Sequence, residues 1–276
     1  MNESIKNEES RLNQERLLHE VAFFRVNKNN IMRLIRSNRI IIKQLFQQIA
    51  ILVENGLQDV IDLVALDTVL TKMNTYIIIS YLNAVEDHDL ELKYITRLPS
   101  FAFHLNLNKL KIIKRLKIIG KDSYILELPP EIGLMSELRE LDIADCLIKS
   151  LPSEISHLLK LEILNVEGDP LALIPKEIGH LKHLKELYIG NNPELTELPT
   201  EVGELIALEV LQAAHDSLKV LPQALERLAK LRELNVAHNQ LKSIPESLGK
   251  LPNLTILKID HNDIKTFPIE LSKLIH

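Results

Sequence analysis

Leucine recurs on a fixed period through the second half of the chain. Leu138, Leu161, Leu184, Leu208, Leu231 and Leu254 stand 23, 23, 24, 23 and 23 residues apart, and each opens one pattern, LxxLxLxxNxL, as in Leu231, Leu234, Val236, Asn239 and Leu241. A period of this length constrains the fold more than any local propensity, because it demands a solenoid of stacked turns. A seventh, distorted copy precedes the six: Ile113, Leu116 and Ile118 match the opening, Lys121 takes the Asn place, and Ile125 arrives two residues late. Proline keeps the same time independently, at Pro129, Pro152, Pro175, Pro199, Pro222, Pro245 and Pro268. With a fixed φ and no N–H, proline suits an extended or helix-opening segment on the outer side of a turn rather than an inner strand. One such turn has too few aliphatic side chains to offset the entropy of ordering it, so stacking must supply the difference. The absence of Trp and the 4% aromatic content fit a layered aliphatic core.

On this Leu, Asn and Pro spacing, residues 113–276 resemble the leucine-rich repeat family. The form is the LPxEIGxLxxLxxLxLxxNxL type of Scribble-like, plant Ras-group and many bacterial repeat proteins. The resemblance implies an α/β solenoid whose short parallel strands line a concave face, with loops or short helical pieces on the convex side. It also implies that the Asn column, here Lys121, Cys146, Asp169, Asn192, Asp216, Asn239 and Asn262, sits inside the turns and bonds the backbone of adjacent coils. Cys146 therefore reads as a structural substitute in that column. Some bacterial members carry a ubiquitin ligase domain with a catalytic cysteine, and the lack of any second cysteine argues against that activity here.

Residues 1–100 lack the repeat and read as a helical domain or cap. Apolar residues at helical spacing over 31–53, closed by Asn55-Gly56, predict one helix; others are predicted over 9–25 and 57–84, with a strand over 76–81 as the alternative. Residues 101–127 form a basic junction with the irregular first repeat, and 128–276 hold the regular repeats. The basic stripe Arg33, Arg36, Arg39 and Lys43 reads as a solvated helix face, and Glu86, Asp87, His88 and Asp89 as a solvated loop. Lys109, Lys111, Lys114, Arg115, Lys117 and Lys121 crowd the junction, where they can solubilise a sheet edge or hold an acidic group.

Net charge is −5, split as −8 from residue 128 onward and +3 before it, which disfavours general nucleic-acid binding. A single cysteine allows no internal disulfide, the first residues lack a signal-peptide core, and no 18-residue apolar run offers a membrane span. A cytoplasmic location is expected, including delivery into a host cell if the chain is a bacterial effector.

No P-loop, GxGxxG, GxSxG, HExxH or paired CxxC motif is present, so neither catalysis nor a cofactor is expected. His215, His238 and His261 share one repeat position and should stack, but equal spacing along a sheet does not make a tetrahedral zinc site. The surface expected to work is the concave one. Its candidate contact residues are Glu140, Asp142, Asn165, Glu167, Glu186, Tyr188, Gln212, His215, Asn235, His238, Lys258 and Asp260, with Tyr188 the sole aromatic among the outward strand positions. The acids among them predict a protein partner with a basic contact surface. Rival readings are a two-headed adaptor whose helical domain recruits a second protein, such as a ubiquitin-ligase component, and a zinc protein using the His column. The final turn carries no polar capping sequence, so either end-to-end self-association or fraying is expected there.

Overall fold

A computed structural model describes residues 15–29, 31, 39–54, 67–72, 74, 77–78, 88–93, 95, 107–120, 123 and 125–274. Each repeat becomes one short strand, one turn, an extended proline segment and one turn of 3-10 helix. The strands are β1 (Asp89–Leu92), β2 (Arg115–Ile118), β3 (Glu140–Asp142), β4 (Ile163–Asn165), β5 (Glu186–Tyr188), β6 (Val210–Gln212), β7 (Glu233–Asn235) and β8 (Ile256–Lys258). They pair in parallel in sequence order, forming one eight-stranded sheet.

The recurring prolines take extended geometry, as at Pro152 (φ −71°, ψ 152°) and Pro222 (φ −66°, ψ 136°), immediately before the 3-10 turns Ser153–His157 and Gln223–Arg227. There the missing N–H is not needed by the sheet, which lies on the other side of the core. Met135 closes the first of the 3-10 turns and a Leu each of the next five: the Leu158 N–H donates to the Ile155 carbonyl and the Leu228 N–H to that of Leu225. The aliphatic layer lies between the sheet and the row of 3-10 turns. Leu141, Leu164, Leu187, Leu211 and Leu234 fill it from the strands, and Ile155, Ile178, Val202 and Leu225 from the opposite side, all fully buried.

The distorted first repeat packs normally, with Ile113, Leu116, Ile118 and Ile125 buried. The sheet, however, begins one strand earlier than the repeat pattern indicates. Asp89, expected in a loop, lies in β1 opposite Arg115, inside the segment expected to be helical. The expected edge strand β2 is therefore an interior strand. Its Arg115 binds Asp89 through Nε at 2.8 Å, and Lys117 binds Asp142 at 2.5 Å, so these two junction cations serve cross-strand pairing rather than an edge. Lys121 lies outside the described residues.

Before the sheet, helix α1 (residues 15–29) and helix α2 (Arg39–Glu54) are present, and residues 67–72 and 77–78 are helical, against the strand alternative over 76–81. Leu17, Phe24, Leu45, Ile49, Leu70 and Ile77 are buried in the same apolar cluster as the repeats. Of the basic stripe, Lys43 is exposed, while Arg33 and Arg36 lie outside the described residues. At the other end β8 is less covered: Ile256 is 43% exposed, and Phe267 and Ile269 beyond it are 61% and 79% exposed.

Candidate functional site

Strand geometry alternates side chains between the two sheet faces. The middle Leu of each strand enters the core, so its flanking residues face outward, and the register joins them into rows. One row reads Lys117, Asp142, Asn165, Tyr188, Gln212, Asn235 and Lys258. The other reads Arg115, Glu140, Ile163, Glu186, Val210, Glu233 and Ile256, so aliphatic residues separate the like-charged glutamates by two strand spacings. Glu140, Asp142, Asn165, Glu186, Tyr188, Gln212, Asn235 and Lys258 thus lie together in these rows. Glu167, His215, His238 and Asp260 stand on the turns that follow the strands.

The acids of this face are mostly bonded already. Glu233 accepts from Gln212 Nε2 at 2.8 Å and Lys258 Nζ at 3.2 Å, and Glu186 accepts the Tyr188 hydroxyl at 2.7 Å. One step before the strands, Glu162 sits between Lys185, at 2.6 Å, and Arg139, and these two cations hold its carboxyl below the usual range. Arg232 and Glu209 continue that ladder at 3.3 Å. Part of the face is therefore a lattice of bonded pairs, while Glu140 and Glu167 bind no cation among the described residues. Reading residue n against n+23 would have exposed the Arg139, Glu162, Lys185 ladder, because the repeat period makes those positions neighbours. Glu167 behaves differently: burial first, then Asp145 and Asp142, push its carboxyl up. Burial, and then the hydrogen bond to Glu186, push the Tyr188 phenol up to about 12.

The histidine column has a backbone cause that the sequence reading missed. His215, His238 and His261 take left-handed geometry (φ 62°, 55° and 52°), and the same turn position holds Asp145 (φ 57°), Gly168 (φ 74°) and Asn191 (φ 60°). These are residue types that tolerate φ > 0. Their rings stack at 4.1 Å between centroids, tilted by 12° and 16°.

Inside the turns, the Asn ladder is explicit. Asn239 Nδ2 donates to the carbonyls of Ala213, Val236 and Ala237 at 2.7, 3.1 and 3.2 Å, while its Oδ1 accepts the Leu218 N–H at 2.9 Å. Asn192 and Asn262 make the corresponding bonds. Cys146 is fully buried on this column, its thiol directed at the Ala144 and Ile118 carbonyls at 3.5 and 3.7 Å, and burial raises its pKa far from the thiolate range.

A family model described as a leucine-rich repeat region matches residues 176–276, and a second, described as a leucine rich repeat, matches 137–158. The leucine-rich repeat protein of Leptospira interrogans superposes with a TM-score of 0.60 at 31% identity, covering 65% of this chain and 44% of that one. The chain belongs to the leucine-rich repeat family. Other solved structures align with lower scores. InlP of Listeria monocytogenes gives 0.46 at 20% identity over 62% of this chain and 42% of its own. The ectodomain of an Arabidopsis thaliana membrane receptor kinase gives 0.44 at 23% over 64% and 24%. The chain thus spans less than half the length of each. No curated protein matches the sequence.

In this leucine-rich repeat protein the metal question reduces to one group among the described residues. His238, Asp260 and His261 each bring a ligand atom within 4.8 Å of the others, and all three are exposed. The two imidazoles lie nearly parallel, 4.1 Å apart, so no point lies along both nitrogen lone pairs. As arranged, they form a stack and not a chelate. A recess of about 260 Å³ at the β1 end, lined by Asp89, Leu90, Glu91, Arg115, Lys117 and Glu140, is crossed by the Asp89 to Arg115 ion pair. No helix among the described residues is long and apolar enough to cross a membrane.

Proposed function

We propose that this leucine-rich repeat protein is a non-enzymatic interaction module that receives a protein partner on the outward face of its sheet. The observation that carries the reading is the strip Asn165, Tyr188, Gln212 and Asn235, where four neighbouring strands present uncharged groups inside a frame of paired charges. Asn165 and Asn235 use Oδ1 to accept the N–H groups of Glu167 and Ala237, at 3.1 and 3.2 Å, which leaves their amide nitrogens to donate outward. Tyr188 is half-buried and held by Glu186, so little further entropy is lost when it is covered. A rigid amphipathic ring among amide donors is the composition that interface centres favour. Glu140 and Glu167 lack a bonded cation among the described residues, which supports a basic group on the partner beside this strip.

The described helical residues before β1 fit a cap over the first turn, since their buried apolar side chains continue the repeat core. The buried, lone Cys146 thiol supports a cytosolic setting. The likeness to the Leptospira protein supports carrying the effector expectation forward. Exposed Ile256, Phe267 and Ile269 support end-to-end self-association, which sedimentation over a range of concentrations tests; one monomeric mass throughout removes it.

The decisive experiment is affinity capture from bacterial and eukaryotic lysates with three folded baits. They are the wild type, a double variant Asn165→Arg and Tyr188→Ala, and a control, Leu159→Ser, at a surface apolar residue off the sheet. Loss of a captured protein with the double variant alone supports the reading. Equal recovery by all three moves recognition away from the sheet.

A further inference from the structure

The Asn ladder is broken twice by aspartate. Asp169 is 1% exposed and Asp216 is 7% exposed. Asp169 uses Oδ1 as the asparagines do, accepting the Ile148 N–H at 2.8 Å, while Asp216 Oδ1 accepts the N–H of the preceding ladder residue, Asn192, at 2.7 Å. In each, Oδ2 is buried with no hydrogen-bond partner. At the three asparagine positions, Asn192, Asn239 and Asn262, that second atom is Nδ2, a donor shared among three backbone carbonyls. By the same register, the carbonyls of Ile143, Val166 and Glu167 face Asp169. A carboxylate oxygen there is buried without a bonded donor, and an unpartnered buried charge is among the costliest groups in a fold. A protonated carboxyl, by contrast, supplies the O–H donor the place requires.

We infer that Asp169 and Asp216 are carried as neutral carboxylic acids in the folded chain, donating to turn carbonyls as asparagine does, so that the repeat array is a pH-sensitive device. Among the described residues no cation compensates them. Asp169 faces Asp145 and the Cys146 thiol on the preceding turn, and Asn192 on the following one; Asp216 has the Glu167 carboxylate nearby, between Asn192 and Asn239. His215 and His238 lie on the exposed rim. Burial pushes both carboxyls up to about 7, although the N–H groups of Ile148, Leu147 and Cys146 favour the ionised form of Asp169, and that of Asn192 the ionised form of Asp216.

The sign follows from linkage. Between the ordinary aspartate range and about pH 7 the folded chain binds protons that the unfolded chain releases. Stability contributed by these two groups therefore falls as pH rises through that window and levels off above it. Asp169 follows β4 and Asp216 follows β6, so the two bracket β5 and Tyr188. Ionisation loosens the turns on either side of the central strip.

The test is urea denaturation of the full chain at intervals from pH 4.5 to 8.5, for wild type, Asp169→Asn, Asp216→Asn and the double variant. Subtracting variant from wild type cancels the titration of every other group. Each substitution is expected to remove about half of the two-site pH dependence, and the double variant to be the more stable at pH 8. A converse variant, Asn239→Asp, should steepen the fall by a third step. Identical pH slopes for wild type and double variant overturn the inference, as does an Asn239→Asp chain whose slope is unchanged.

Discussion

At the residue scale, two columns of the repeat do different physical jobs. The column before the ladder must be left-handed, and Asp145, Gly168, Asn191, His215, His238 and His261 all satisfy it. A β-branched residue pays heavily for φ > 0 because its Cβ substituents crowd the backbone, whereas glycine does not. We therefore expect His238→Gly to leave stability within about 0.5 kcal/mol and His238→Val to lower it by about 1–2 kcal/mol, checked by urea denaturation at fixed pH. Equal losses would mean that ring stacking, not backbone geometry, holds the column. The ladder column is stricter still. Asn239→Leu strands three carbonyls and the Leu218 N–H, and should cost about 3 kcal/mol. An unchanged denaturation midpoint would remove the ladder's structural role. The Asn column was legible in the sequence, but not that its aspartates lack a donor, because that depends on which backbone groups face each oxygen.

At the element scale, no strand among the described residues exceeds four residues and each 3-10 helix is a single turn or little more, so none is stable alone. They persist because those in the interior of the array bury aliphatic side chains between neighbouring copies. Leu211 in β6 is fully buried, while Leu257 in β8 is only partly so. Truncating Leu211 to Ala should cost about 2–5 kcal/mol, and the same change at Leu257 about 1 kcal/mol, read from denaturation midpoints. The cross-strand ladder belongs to this scale too. Replacing Glu162 by Lys puts three cations side by side with Arg139 and Lys185, and we expect a loss of stability that shrinks as salt is added. A salt-independent loss would assign Glu162 a packing role instead.

At the scale of the whole molecule, stability is a sum over neighbouring turns, so protection should follow burial along the array. Amide hydrogen exchange is expected to be slowest in β4 to β7 and to quicken through β8, where Ile256 is exposed. Uniform protection through residue 271 would show that the last turn is covered in solution.

The repeat pattern by itself determined the period, the parallel order of strands, the aliphatic layer and the side of the sheet on which each x position falls. These follow from spacing, because residues one period apart become neighbours whatever their identity. Tertiary structure alone decided three things. It added β1, whose Asp89–Leu92 carries no repeat signature yet supplies the hydrogen bonds that β2 needs on its outer side. It paired Asp142 with Lys117, Glu233 with Lys258 and Glu162 with Arg139 and Lys185, cations of adjacent turns. It also placed the second carboxylate oxygens of Asp169 and Asp216 in a buried position without a donor. Each of these depends on distances across turns and on the removal of water, and a linear pattern records neither.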